Sequence, residues 1–247
     1  MKSFSALAIV SLGILSYAGN AVSAPNAAAS IDWNQFTFNV IDTNATDGIA
    51  AALTWNDRSS SAYGFETGSF YLSSSDWTTG LSGADGVASA AFSESSLNAN
   101  FAGSPSTLSA YASADRYGYF TLAANTLVTF SAVANTSINM NIPLNGNAYA
   151  WSGLDASGVG FDGTDNQQSG TSKISWANGL GSAITDSGKV YASFYNGTGA
   201  NMDGTVHAFA NVNSYGFIAA VPEPESYAML LSGLGLMGTM VRRRRNR

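Results

Sequence analysis

Along the middle of the chain, apolar and polar side chains alternate one for one. In "QFTFNV", Phe36, Phe38 and Val40 fall on one side and Gln35, Thr37 and Asn39 on the other. "KVYASFY" sets Val190, Ala192 and Phe194 against Tyr191, Ser193 and Tyr195, and "NTLVTFSAVA" sets Val128, Phe130 and Ala132 against Leu127, Thr129 and Ser131. A period of two belongs to a strand with one face on a core, because successive side chains of an extended backbone point to opposite faces. Between such runs stand "TDGI", "SGADG", "PLNGN", "DASGVGFDGTDN" and "NGTGANMDG", dense in the residues that turns require. Short strands separated by Gly and Asn turns predict an all-β fold, an antiparallel β-sandwich of which the jelly roll is one form. Residues 189–195 and 205–217, joined by "NGTGANMDG", read as a closing hairpin. A minor helix is expected in "GVASAAFSESSLNANF", where alanine lowers its cost.

Two apolar runs break the alternation, one at each end. Lys2 precedes the uncharged stretch 4–17, and "AGNAVSA" follows with small residues, the pattern of a signal peptide over residues 1–24 that a signal peptidase removes. A cut after Ala24 fits Val22 and Ala24 as the small pair but leaves Pro25 next to the scissile bond, so cuts after Ala21 or within "NAAAS" are alternatives. The exported domain is then residues 25–220. At the other end residues 227–241 carry no charge. As a helix this run covers about 22 Å, at about 1.5 Å per residue, against roughly 30 Å of bilayer hydrocarbon. Arg242, Arg243, Arg244 and Arg245 follow it as a stop that holds the tail on the cytoplasmic side. Before it, Pro222 and Pro224 flank Glu223; proline lacks a backbone donor and biases its predecessor to extended conformations, so this stretch reads as a stiff, extended peptide suited to a processing enzyme.

The order Pro222-Glu223-Pro224, uncharged run, terminal arginines resembles the PEP-CTERM sorting domain of Gram-negative bacteria over residues 221–247. The resemblance implies export, a transient inner-membrane anchor by a transmembrane helix with the domain outside, recognition of the Pro-Glu-Pro motif by exosortase, and release toward the cell surface or medium. It also implies association with exopolysaccharide and biofilm matrix. A glycosylphosphatidylinositol signal would end in apolar residues, a sortase substrate would need Leu-Pro-x-Thr-Gly, and a plain anchor would be longer and has no use for two prolines.

Charge and composition narrow the partners of the domain. Lys2 and five tail arginines leave Arg58, Arg116, Lys173 and Lys189 between the apolar ends, and of 16 acids only Glu223 and Glu225 belong to the tail. The domain therefore sets four cations against 14 acids, a net charge of −10. Phosphate affinity needs clustered Lys and Arg, so no nucleic-acid partner is expected. With no cysteine there is no disulfide, thiolate nucleophile or Cys-ligated zinc. One histidine builds no histidine-cluster metal site, and neither metal nor cofactor is expected.

Candidate chemistry is sparse. His207, in "TVHAFANV", reads as an ordinary strand residue, and no G-x-S-x-G accompanies it. "GLGLMG" at residues 233–238 matches a dinucleotide fingerprint but lacks the βαβ context and the acid about 20 positions on. Asp155, Asp162, Asp165 and Asn166 form an oxygen-rich loop whose spacing departs from calcium-binding patterns and reads as a solvated acidic turn. Trp55, Trp77, Trp151 and Trp176 read first as core and second as sugar-stacking residues. Three functions follow: a noncatalytic surface or matrix protein in contact with hydrated polysaccharide, a carbohydrate-binding module with tryptophans exposed together on one face, and a secreted hydrolase with two facing carboxylates in a pocket.

Overall fold

The computed structural model describes residues 26–103, 109–140, 145–159, 166–178 and 182–217, and in the tail 229, 231 and 232. The predicted signal peptide, Pro222, Glu223, Pro224, Arg242, Arg243, Arg244, Arg245, Asp162 and Asp165 lie outside these residues. Met229, Leu231 and Ser232 are helical, and no helix among the described residues is long and apolar enough to cross a membrane.

Among the described residues the alternating runs become twelve strands: β1 (Asn26–Asp42), β2 (Leu53–Phe65), β3 (Phe70–Ser74), β4 (Leu81–Asp85), β5 (Ala88–Ser93), β6 (Ser96–Ala102), β7 (Ser109–Leu122), β8 (Thr126–Met140), β9 (Asn145–Val159), β10 (Asn166–Asn178), β11 (Ser182–Asn196) and β12 (Met202–Phe217). They form two six-stranded sheets, in the orders β11-β8-β1-β6-β5-β4 and β10-β9-β12-β7-β2-β3. The pairings in both sheets are antiparallel, and the two sheets enclose one core, which is the expected β-sandwich with more strands than a jelly roll's eight.

The period-two reading holds in β8 and β11 but only in part in β1, where Phe36 and Val40 are half-buried and Phe38, expected on the core face, is exposed and packs edge-on against Trp55. Val128, Phe130 and Ala132 of β8 and Val190, Ala192 and Phe194 of β11 are buried, while Tyr191 and Tyr195 are exposed. More than half of the buried apolar core residues are alanine. Alanine loses no rotamer freedom on burial, but each one also removes little area from water, so the fold depends on many close contacts between two flat faces. Larger side chains gather at one place. Trp33 and Phe36 stack with centroids 4.1 Å apart, and Trp77 meets Trp33 and Trp55 edge-on at 5.1 Å each. Gly118 admits this cluster: a Cβ there would stand 2.5 Å from the Trp55 ring and 2.7 Å from that of Trp77. Arg116, fully buried, lies 4.6 Å from the Trp33 centroid and donates from Nη2 to the carbonyls of Trp77 (3.1 Å) and Ser93 (2.7 Å). Burial lowers its pKa to about 10, which leaves it charged at neutral pH.

Two expectations are corrected. The segment expected to be helical is the hairpin β5–β6: Ala88, Ala90 and Phe92 face the core opposite Phe101, Ala99 and Leu97. Alternate burial outweighs the helix propensity of alanine, which is only a few tenths of a kcal/mol over its rivals. The runs 189–195 and 205–217 do not pair as a hairpin. β11 pairs with β8 in one sheet and β12 with β7 and β9 in the other, so the loop between them crosses the sandwich. Asn196, buried at its start, donates to the carbonyls of Leu122, Ala123 and Ala200 and accepts from Thr198, which anchors the crossing.

Candidate functional site

The outer face of the second sheet is built from the odd-numbered positions of β12, β9 and β7 and the even-numbered ones of β10, since the register sets Trp151 opposite Asn211 and Ile174, and Tyr149 opposite Asn213 and Trp176. Along β12 this face reads Asp203, Thr205, His207, Phe209, Asn211, Asn213, Tyr215.

Near one end the face is aromatic. Trp151 (45% exposed), Trp176 (50%), Tyr149 (37%) and Tyr215 (51%) stand together with Ile174. Tyr149 and Trp176 stack at 6.2 Å, and Tyr215 meets Tyr149 edge-on at 6.5 Å. A depression of about 550 Å³ opens between Tyr111, Tyr149, Trp151, Ile174 and Tyr215, with Asn211 and Asn213 in its lining, and Trp176 flanks it through its stack on Tyr149. Single exposed apolar side chains are ordinary; a contiguous set of rings about a hollow is not.

Next along β12 lies a second depression, about 500 Å³, bounded by Trp151, Asn211 and Phe209 on the aromatic side and by Asp155, His207, Gln168 and Thr171 beyond. Trp151 and Asn211 belong to both hollows, and the Trp151 ring packs edge-on against Phe209 at 4.8 Å. β9 and β10 pack closely beside it: a Cβ on Gly153 would come within 2.7 Å of Ser172 Cβ and of the Thr171 carbonyl.

His207 is held from both sides. Its Nε2 is 2.9 Å from Asp115 Oδ1 on β7 and its Nδ1 3.2 Å from Asp155 Oδ2 on β9, while the ring stacks on Tyr117 at 4.3 Å and 2°. Burial works against the charged ring, but hydrogen bonds and charge from Asp115 and Asp155 outweigh it and hold the pKa up at about 9. Burial, followed by the same two carboxylates, pushes the Tyr117 phenol up to about 12. At neutral pH the imidazolium donates through both nitrogens and has no lone pair with which to take a proton. Ser113 Oγ donates to Asp115 Oδ2, away from the imidazole, so serine, histidine and aspartate are adjacent without forming the relay of a triad.

The four tryptophans separate. Trp55 and Trp77 are both half-buried and meet edge-on, with Trp55 packed against the core as the first reading had it, whereas Trp151 and Trp176 share the outer face. Asp155 is a strand residue tied to His207 rather than part of an acidic turn, which corrects its assignment to the loop; Asn166 begins β10. Asp115, Phe209, Tyr149 and Tyr215 were not singled out by sequence. The odd-numbered row of residues 205–215 carried the signal, but recognising it as an outer face requires knowing which sheet β12 joins.

Compared with known protein families, residues 220–245 match the PEP-CTERM protein-sorting motif. The chain ends in a sorting signal. The matched stretch contains Pro222, Glu223, Pro224 and all four arginines from Arg242 to Arg245. A PEP-CTERM motif implies processing by an exosortase-type enzyme, export with membrane-associated sorting, and then the surface. No curated protein matches the chain.

Proposed function

We propose that the exported domain is a noncatalytic, carbohydrate-contacting module of the cell surface or extracellular matrix, delivered by its PEP-CTERM tail and associated with exopolysaccharide. The observation that carries this is the joint exposure of Trp151, Trp176, Tyr149 and Tyr215 on one face, where Trp151, Tyr149 and Tyr215 line a hollow together with Asn211 and Asn213. Pyranose rings present an apolar face of C–H groups and an equatorial rim of hydroxyls, and an aromatic platform with amide side chains beside it meets both. The noncatalytic part is supported by His207, whose two nitrogens are occupied, and by Asp115 and Asp155, each committed to it.

A glycan array probed with the chain, beside Trp151→Ala and Trp176→Ala, tests the reading. Retention on a subset of glycans that both substitutions abolish is expected, with no new reducing ends formed on prolonged incubation. Uniform failure to bind would end the proposal, and release of sugar would replace it with the hydrolase.

A further inference from the structure

We infer that the ligand of this face is a long, linear, uncharged glycan lying along β12 across three consecutive subsites. This rests on the carbohydrate reading and adds chain length, direction and charge. Beyond His207 a third depression, about 490 Å³, opens between Asn56, Tyr119, Asp203 and Thr205. The three hollows take their floors from one strand in order: Asn213 and Asn211 in the first, Phe209 and His207 in the second, Thr205 and Asp203 in the third. From Asp203 to Tyr215 the strand extends roughly 40 Å at about 3.3 Å per residue. A pocket for one terminal sugar would be enclosed and single; a row of open hollows fits a chain bound along its length.

Rings recur along the row, with Tyr149 and Tyr215 at one end, Trp151 near the middle and Tyr119, 43% exposed, at the other end. Between them stand side chains that exchange hydrogen bonds with hydroxyls. Asn211 lines two of the hollows and Asn213 the first, and an amide side chain both donates to and accepts from hydroxyls. Charge decides the glycan class. Among the described residues no lysine or arginine lines any of the three hollows, while Asp155 and Asp203 do. With the imidazolium of His207 shared between two carboxylates, that cluster keeps a net negative charge, within a domain of net −10. A uronate or sulfated chain would bring repeated negative charges against this surface, where the His207 imidazolium is already taken by Asp115 and Asp155.

Calorimetry of the full chain in detergent against neutral oligosaccharides (gluco-, manno- and N-acetylchito-series, disaccharide to octasaccharide) and oligouronates of matched length tests the inference. For at least one neutral series, affinity rises about tenfold or more from disaccharide to hexasaccharide, equivalent to about 1.4 kcal/mol or more, and the uronates do not bind. Tyr215→Ala and Tyr119→Ala, at opposite ends, each weaken the octasaccharide severalfold and leave the disaccharide unchanged, whereas Trp151→Ala weakens both. Affinity that is already complete at the disaccharide, or preference for uronates, overturns the inference and leaves the carbohydrate reading standing. No binding by any sugar overturns both, and sedimentation showing a dimer that Trp151→Ala dissociates would then assign the face to a second copy of the chain.

Discussion

His207 and its two carboxylates make the charge state of the outer face pH-dependent. A histidine in an unfolded chain titrates near 6.5, and here Asp115 and Asp155 move it to about 9 while Tyr117 covers one side of the ring. Because the folded value is the higher one, the cluster's stabilisation is fully present below about pH 6.5 and is lost as pH rises through about 9. The chain contains one histidine, so its ring resonances need no assignment. An NMR titration should give a midpoint near 9 in the wild type, and thermal stability should fall between pH 7 and 9 more steeply than in His207→Gln. A midpoint near 6.5 would show that the two carboxylates do not hold the ring. The same cluster shows what residue-scale sequence reading misses: Asp115, Asp155 and His207 are far apart in the chain, and only the pairing of β7, β12 and β9 brings them together.

At the scale of elements, the alanine-rich strands and the management of edges decide stability. Ala112 of β7 is fully buried in a core built largely of small residues, so a larger side chain has nowhere to go. Ala112→Leu should lower stability by roughly 1–3 kcal/mol through overpacking, read as a lower denaturant midpoint with unchanged slope. A gain in stability would reveal an unfilled cavity. The free edge of β11 is covered rather than left open: the Tyr191 amide donates to Thr171 Oγ1 at 2.6 Å and the Ser193 amide to Ser169 Oγ at 3.3 Å, both from β10. At the opposite side the edge strands β3 and β4 are five residues each, and Asp85 accepts from the amides of Glu66 and Gly68 beside them. Short or side-chain-capped edges suit an exported protein that must avoid pairing with its own copies.

For the whole molecule, the two ends set its fate and the strands set where processing is tolerable. β1 pairs with β6 and β8 from Asn26 onward, and Ala27 and Ala29 are core residues. A cut after Ala27 or any later residue of this stretch would remove one or both, so the mature N-terminus should lie at or before Ala27, with the cuts after Ala21 and Ala24 both keeping β1 whole. In a host with exosortase, mass spectrometry of the released protein should find that N-terminus and no Arg247. Replacing Pro222 and Pro224 by alanine restores backbone donors and should leave the precursor uncleaved in the membrane. Arg247 retained on released wild-type protein would show that the ending is not processed.

Much of this was legible in one dimension. Alternation in "KVYASFY" and "NTLVTFSAVA" determined strands and their buried faces, because side-chain direction in an extended backbone depends only on parity. The PEP-CTERM tail was equally legible, since a sorting signal is recognised as a short linear peptide. Sequence could not tell the hairpin β5–β6 from a helix without weighing alternate burial against alanine's propensity, nor show that the loop after Asn196 crosses between sheets. The candidate site belongs wholly to tertiary structure. Trp55 and Trp151 are alike as residues, and one became core and the other platform because β2 turns Trp55 inward to the gap left by Gly118, while β9 turns Trp151 outward beside β12. Which face of a strand meets water is settled by what packs on the other face, and that is a property of two sheets rather than of either strand.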